Sequence, residues 1–233
     1  MEKQIKRFNY ILNLSLKALL VIMLIVICTV GLKITLDRKN EKKILEMQSI
    51  INELRTALNI DSVRQYNIKK VISIIDQYNI KMPRYQKYEI AEEIFNMANT
   101  YSNLNVDLIC ATITWETGGT WNAETVSPSG ALGLMQIMPV TGMFVAGYED
   151  INWSSAKEVL FNPIYNIRIG CRYLSALIEL YDVDGGLAAF IDGQRRAALW
   201  VGKGRSYGVL SDEAREIVPA IQQLYEEYQQ KVQ

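Results

Sequence analysis

The segment from Ala18 to Leu32 contains no charged residue, and this feature most constrains how the N-terminal part of the chain can fold. The apolar character extends to Leu36, so the stretch reaches about 20 residues, enough for a helix to cross a bilayer. We predict a short lead at residues 1–17 and one transmembrane helix at residues 18–36. A cleaved signal peptide is the alternative, but no A-x-A cleavage site follows the apolar segment. Basic residues flank it on both sides, so charge does not decide its orientation.

Residues 37–83 are predicted to form a helical stalk, which Pro83 ends. In its first half, apolar residues recur with alternating spacings of three and four, as at the a and d positions of a coiled coil. These residues are Ile44, Met47, Ile51, Leu54 and Leu58. Because the repeat covers barely two heptads, two interpretations are open. The stalk could associate into a homo-oligomer or bind assembly partners in the cell envelope or a virion, or it could be a solvated helix that packs on its neighbour.

The charges of the chain are balanced, with 25 Lys and Arg against 25 Asp and Glu, and histidine is absent. Balanced charge gives no electrostatic basis for binding nucleic acid, so we predict no nucleic-acid partner. The lack of histidine excludes Ser-His and Cys-His catalysis and HExxH zinc sites. The cysteines show no CxxC spacing, and we predict neither a metal site nor a cofactor. Cys110 and Cys171 lie in apolar helical patterns typical of buried free thiols, and a bridge between them is the alternative.

The remaining residues, 84–233, show helical periodicity and weak strand signals. We therefore predict an all-α domain with at most a small hairpin near Ser127. Three helix starts carry a side chain that can cap free N–H groups. They are Asn105, Asn162 and Ser211. Helix ends are predicted at Gly118–Gly119 and at Asp182–Gly186.

Glu116 is the candidate catalytic residue, because it falls in the last turn of a strongly apolar helix. Ile109, Thr112 and Ile113 lie one or two turns back on the same side. Partial desolvation and the negative end of the helix dipole both favour the protonated carboxyl, so we expect its pKa to be raised. A carboxylic acid that keeps its proton near neutral pH suits general-acid cleavage of a glycosidic bond.

The segment after Glu116 adds a turn at Ser127–Gly130 and a single amide, Gln136, between methionines. An amide can both donate to and accept from an N-acetyl group, and thioethers offer a polarizable surface. This combination is compatible with a sugar-binding groove. On its own, however, a run of Met and Leu is more often part of a core.

Glu116–Thr117, the run SPSGALGLMQIMP from Ser127 to Pro139, and Thr141 together resemble the core of the soluble lytic transglycosylase family, relatives of goose-type lysozyme. The block that begins Leu160-Phe161-Asn162-Pro163 and ends at Leu174 resembles the next block of that family at the expected distance. The resemblance covers about the last 150 residues, and it is specific because unusual residue types recur in order over a long span.

The resemblance implies a lysozyme-like catalytic domain that cleaves the β-1,4 linkage between MurNAc and GlcNAc in peptidoglycan. Glu116 would act as acid and then base, and the N-acetyl group of the substrate would replace a second carboxylate, leaving an anhydro-sugar end. Gln136 and Ser127 would contact substrate. The residues expected to line the groove are Met135, Phe190 and Tyr173. Since peptidoglycan lies outside the cytoplasmic membrane, the resemblance also places the N-terminus inside and the domain on the wall side, where it would open the wall locally for secretion, conjugation or phage entry.

Three departures from the family pattern bear on activity. Thr117 replaces a serine but keeps a hydroxyl, whereas Phe190 and Ile191 stand where the family has tyrosine and asparagine and lose those polar groups. Ile217 stands where the family often has tyrosine. These losses motivate an alternative, a catalytically impaired scaffold that only holds glycan. Asp192 is either a turn residue or a second carboxylate, and the latter would favour lysozyme-type hydrolysis.

Overall fold

A computed structural model describes the backbone of residues 2–230 and the side chains of residues 33–230 except 34, 35, 37, 57 and 59. The predicted lead at 1–17 and most of the predicted transmembrane segment at 18–36 lie outside the described side chains. Over the described residues, the only extended pairings are two isolated bridges, Val126 with Leu132 and Leu132 with Ile137. The predicted all-α class is thus confirmed, with a small hairpin around Ser127.

Eight helices make up this part of the chain. They are α1 (Glu2–Tyr78), α2 (Arg84–Thr100), α3 (Val106–Glu116), α4 (Pro139–Ala146), α5 (Ala156–Leu160), α6 (Pro163–Asp192), α7 (Gln194–Gly202) and α8 (Asp212–Gln230).

The chain divides into two compact units, and the first comprises Met1–Asp61. Its described side chains include the predicted apolar stripe, which is exposed throughout, from 44% at Ile51 to 65% at Leu58. None of the helices, searched over the described residues, combines the length and apolar character that a membrane crossing needs.

The second unit comprises Ser62–Gln233 and contains the helical core. Its first element is the end of α1, where Ile68, Val71 and Ile75 are almost fully buried. The sequence predicted that the domain proper begins near Arg84. The compact unit starts earlier because these apolar side chains of α1 are part of its core rather than of a solvated stalk.

The predicted capping residues act as expected because each places a side-chain oxygen near unpaired N–H groups. Asn105 accepts a hydrogen bond from the Leu108 N–H at the start of α3. Asn162 accepts from Ile164 and Tyr165 in α6, and Ser211 accepts from Ala214 in α8.

The predicted helix end at Asp182–Gly186 is confirmed as a break within α6, because Asp182, with φ of 61° and ψ of −174°, is not helical. A second helical segment, which was not predicted, follows the break and continues to Asp192. The Asp182 carboxylate accepts a hydrogen bond from the Gly185 N–H at 3.1 Å and so caps this segment. Gly185 and Gly186 pack closely on the first segment, where an added Cβ would lie 2.7 Å from Tyr181 Cβ and 2.6 Å from Ile178 Cγ1.

Around this core, α3 packs mainly on α8, while α2 and α7 pack on α6. Cys110 in α3 and Cys171 in α6 are both buried and free, so the bridge considered from the sequence is not formed.

Candidate active site

Glu116 is the last residue of α3, an apolar helix whose residues from Val106 to Thr114, apart from Asp107, are all buried. The helix stops because Gly118 and Gly119 adopt left-handed conformations, with φ of 56° and 76°, which glycine tolerates at little cost. Glu116 is therefore carried to the edge of the core by a rigid helix.

The Glu116 side chain is partly exposed, yet most of its surroundings are protein. Burial, together with the negative charge of Glu213, raises the pKa of the Glu116 carboxyl from 4.5 to about 8. The direction agrees with the sequence prediction, which attributed it to desolvation and the helix dipole. At neutral pH this group is a protonated acid that solvent can still reach, as general-acid chemistry requires.

Glu213, in the first turn of α8, is a site residue that the sequence analysis missed. Its only sequence signal was its position next to the Ser211 cap, where an acidic residue has the ordinary role of complementing the helix dipole. The packing of α8 against α3 brings its carboxylate near enough to act on Glu116.

Gln136 lies in the small hairpin loop with a positive φ of 46°. Its side-chain amide donates to the backbone carbonyls of Gly133 (2.6 Å) and Thr125 (3.2 Å). Both amide hydrogens are thus directed into the loop, and the side-chain carbonyl is the atom left to accept a hydrogen bond from a ligand.

Ser127 forms the turn at the other end of this hairpin. Its hydroxyl accepts from the Ala131 N–H at 2.9 Å and shares a hydrogen bond with the Ser129 hydroxyl at 2.8 Å. The partly exposed side chain therefore shapes the turn, and its hydroxyl lies at the surface.

Met135 does not line an open groove, which corrects the sequence prediction. Its side chain is 0% exposed and packs on α6 in the space left by Gly170, where an added Cβ would lie 2.3 Å from its Sδ. The Cys171 thiol lies 3.9 Å from the same sulfur atom. The methionine is a core residue because the glycine opposite it admits a long flexible side chain.

Asn166 is a second residue that the sequence analysis did not assign to the site. This fully buried side chain of α6 accepts from the Met135 N–H (2.7 Å) and donates to the carbonyls of Leu132 and Leu160 (2.9 Å each). It fixes the backbone on either side of Gly133, and therefore the loop that carries Gln136. Asn166 itself lies in the second block of the family resemblance, which is the signal that could have identified it.

Tyr173 and Phe190, two predicted groove residues on α6, are brought together with ring centroids 5.7 Å apart. Both rings are partly buried, and the Tyr173 hydroxyl has a side-chain hydrogen bond with Gln194. Tyr173 and Gln194 also line a mainly apolar cavity of about 480 Å³, together with Phe144 and Tyr148. Aromatic rings form part of its wall, and neither Glu116 nor Gln136 is among its lining residues.

Asp192 is engaged in the fold. One carboxylate oxygen accepts from the Ser211 N–H at 2.8 Å and the other accepts from Arg196 at 2.6 Å. Its side chain is only 8% exposed. Of the two sequence interpretations, the structural one fits these contacts, since Asp192 connects the end of α6 to the start of α8.

Residues 93–208 match the family model described as the transglycosylase SLT domain. The soluble lytic murein transglycosylase of Escherichia coli (strain K12) is 36% identical over 84 residues, which is 35% of this chain and 13% of that protein. The endo-type membrane-bound lytic murein transglycosylase A of Klebsiella pneumoniae subsp. pneumoniae is 43% identical over 90 residues, 37% of this chain and 40% of that protein. The match thus spans less than half the length of these curated relatives.

A solved structure supports the same assignment. The lytic transglycosylase Slt of Pseudomonas aeruginosa, an inactive glutamate-to-glutamine mutant, superimposes with a TM-score of 0.52 and 26% identity, over 60% of this chain and 24% of that chain. Through residues 93–208, the chain belongs to the transglycosylase SLT family.

Proposed function

We propose that the protein is a peptidoglycan lytic transglycosylase that cleaves the MurNAc–GlcNAc linkage with Glu116 as general acid and then general base. The observation that carries this proposal is the Glu116 carboxyl, partly accessible at the end of α3 and with its pKa raised to about 8. The names of the relatives, and the inactive glutamate-to-glutamine mutant of Slt, support it.

The chemistry proceeds in two steps without water. Protonated Glu116 gives its proton to the glycosidic oxygen, the bond from C1 to that oxygen breaks, and the N-acetyl carbonyl oxygen of MurNAc bonds to C1. The Glu116 carboxylate then removes the proton from the C6 hydroxyl of the same sugar, and the C6 oxygen displaces the acetamido oxygen from C1. The product carries a 1,6-anhydro ring, and Glu116 is again protonated.

We propose substrate contacts for the side-chain groups that the fold leaves free. The Gln136 side-chain carbonyl accepts from an N-acetyl N–H, because its amide hydrogens are directed to Gly133 and Thr125. Ser127 offers a surface hydroxyl, and Tyr173 and Phe190 present a pair of aromatic rings. Aromatic faces suit the apolar faces of sugar rings.

Glu116→Gln tests the proposal directly. The amide keeps the shape of the side chain but cannot supply a proton, so we expect the rate of release of soluble muropeptides from purified peptidoglycan to fall on the order of 100-fold or more. Binding to insoluble peptidoglycan should be retained. Glu124→Gln, an exposed glutamate in the loop after α3, is the matched control. Unchanged activity in Glu116→Gln would overturn the proposal.

Two other functions have a specific observation in their favour. The proximity of Glu213 supplies a second carboxylate, which favours hydrolysis of the lysozyme type. The apolar residues Phe190, Ile191 and Ile217 favour a scaffold with little activity, since side-chain hydrogen-bonding groups are missing there. Mass spectrometry of the digested glycan separates the three, because transglycosylation leaves anhydro ends, hydrolysis leaves reducing ends and a scaffold leaves the polymer intact.

We further propose that residues 18–36 anchor the enzyme in the cytoplasmic membrane with the N-terminus inside, so that it opens the wall locally, as secretion, conjugation or phage entry requires. The uncharged run from Ala18 to Leu32 supports this placement, and the Klebsiella relative is itself named membrane-bound. The full chain should sediment with membranes, whereas a chain without residues 1–36 should remain in the supernatant. Protease added outside spheroplasts should cleave the domain at residues 84–233, because the proposed orientation places it on the outer side of the membrane. If both forms sediment with membranes, residues 1–36 are not the membrane anchor.

A further inference from the structure

The turn that follows Glu116 has Gly118 and Gly119 at its centre, and the hydrogen bond from the Gly119 N–H to the Thr114 carbonyl (2.8 Å) closes it. The hydroxyls of Thr117 and Thr120 hold its two ends, since they donate to the carbonyls of Ile113 and Thr117 at 2.8 Å each. The two central glycines have no side chain to add to these contacts, and glycine gains the most conformational freedom when local structure opens. The centre of the turn, two residues after Glu116, is therefore the part that contacts from elsewhere in the fold can stabilise.

Two residues at the end of α1 make such contacts. The Asn79 side-chain amide donates to the Thr120 carbonyl at 3.0 Å, and its side-chain carbonyl accepts from the Met82 N–H at 3.0 Å. The Tyr78 ring lies against Gly119, where an added Cβ would be 3.2 Å from the ring. Tyr78 thus covers the turn with its ring, and Asn79 adds one hydrogen bond from outside the turn.

A chain of polar groups joins the same tyrosine to the helix that carries Glu116. The Trp121 indole N–H donates to the Thr114 hydroxyl oxygen at 3.0 Å, and the Tyr228 hydroxyl donates to the Tyr78 hydroxyl at 3.2 Å. Because the Tyr228 hydrogen is directed to Tyr78, the contact of 3.0 Å between Thr114 and Tyr228 has Thr114 as its donor. The chain runs from Trp121 through Thr114 and Tyr228 to Tyr78.

We propose that Tyr78 and Asn79 are positioning residues for Glu116, which they hold by fixing the Gly118–Thr120 turn and, through Tyr228, the last turns of α3. This inference rests on the proposed role of Glu116. Both residues precede the segment 93–208 that matches the family, so the catalytic helix is braced by an element outside the family domain. An acid that donates to one oxygen atom needs this fixed orientation, since small displacements cost large factors in rate.

Loosening the turn should also admit water to Glu116. Among the ionisable groups on the packed elements, Glu213 of α8 raises the pKa of Glu116, whereas Tyr228 and Tyr78 contact the neighbouring Thr114 network. Lys70 of α1 pairs with Asp107 at the opposite end of α3. Since burial is the larger cause of the raised pKa, better hydration moves it toward its ordinary value.

The test uses Tyr78→Phe and Asn79→Ala in the full chain in detergent, with two readouts. The pKa of Glu116 is measured by NMR on carboxyl-labelled glutamate, with Glu116→Gln assigning its signal, and kcat and KM are measured against pH on solubilised glycan strands. We expect the pKa of Glu116 to fall by about one unit or more, and the high-pH side of the pH–rate profile to move to lower pH by the same amount. Because the acid is less well oriented, kcat should fall about 10-fold while KM stays nearly unchanged. Tyr85→Phe and Asn99→Ala, both on the exposed surface of α2, are the matched controls.

The outcomes separate this inference from the proposed function. If both variants keep the wild-type pKa of Glu116 and the wild-type pH profile, Tyr78 and Asn79 have only a structural role and the inference is overturned, even if stability falls. If the wild-type protein is inactive, the proposed function fails, while the NMR titration of the folded variants still decides whether the turn controls Glu116.

Discussion

The carboxyl group of Glu116, at the C-terminal end of α3, lies within the electrostatic reach of the Glu213 carboxylate, in the first turn of α8. The negative charge of Glu213 disfavours ionisation of Glu116, and burial of the Glu116 carboxyl acts in the same direction. Burial and this repulsion together raise the pKa of Glu116 to about 8. The pair therefore combines an acid that is protonated at neutral pH with a solvent-exposed carboxylate beside it.

The first prediction concerns the pH dependence of cleavage. The acid form of Glu116 predominates below about pH 8, so the rate should fall as the pH rises through that value. Glu213→Gln removes the smaller of the two causes, and we expect the basic limb to move to lower pH while staying above the ordinary range of a glutamate. Rates of muropeptide release between pH 5 and pH 9 give the measurement, and Glu226→Gln, exposed on the same helix, is the control. If the rate of Glu213→Gln falls at the same high pH as that of wild type, Glu213 does not act on Glu116.

The second prediction concerns stability and needs no activity. A carboxyl whose pKa is raised in the folded state binds its proton more tightly there than in the unfolded chain. Between the two pKa values the unfolded state has lost this proton, so the free energy of unfolding contributed by Glu116 falls as the pH rises, and the loss is complete above about 8. Glu116→Gln has no such loss. The Tm of Glu116→Gln minus the Tm of wild type should therefore be larger at pH 9 than at pH 5, as measured by thermal unfolding followed by circular dichroism.

Glu124→Gln provides the control for this comparison, because no partner or burial distinguishes that exposed side chain. If Glu116→Gln differs from wild type by the same Tm at both pH values, Glu116 ionises normally in the folded protein. The proposed role of Glu116 as an acid would then lose its basis.

Local signals in the sequence predicted much of the fold correctly. The caps at Asn105, Asn162 and Ser211 act over three residues or fewer, and the structure has them as expected. The end of α3 also follows from its own glycines. Such features depend on neighbouring backbone groups, so a short window of sequence contains all the information they need.

The features that the sequence could not predict depend on packing between distant elements. Met135 is buried because Gly170 of α6 lies opposite it, and Glu213 reaches Glu116 because α8 packs on α3. No periodicity or motif contains these pairings, since each joins segments that are far apart in the chain.

The third prediction concerns the buried amide of Asn166. Asn166→Ala leaves the Met135 N–H and the Leu160 carbonyl without their partner in the core, while the Leu132 carbonyl keeps its hydrogen bond from the Ile137 N–H. Each unsatisfied group costs about 1–3 kcal/mol. We expect a loss of at least about 2 kcal/mol in the free energy of unfolding, measured in urea, and a fall in activity through the displaced Gln136 loop. Asn99→Ala, which loses one exposed contact within its own helix, should change stability by less than about 0.5 kcal/mol. Equal effects of the two changes would mean that the loop does not depend on Asn166.

The fourth prediction concerns self-association through the first unit. Ile51, Leu54 and Leu58 of the a and d stripe are 44%, 58% and 65% exposed, so each has apolar surface available for a second copy of the helix. Burial of this stripe should favour a homo-oligomer, but only weakly, because the repeat is short. We expect the mass of the detergent-solubilised full chain, measured by sedimentation, to rise with protein concentration. Ile51→Lys should return it to a monomer because a charge at an a position opposes its own copy, whereas Asn52→Lys, one residue outside the stripe, should not. A wild-type chain that stays monomeric at every concentration would leave the solvated helix as the correct interpretation.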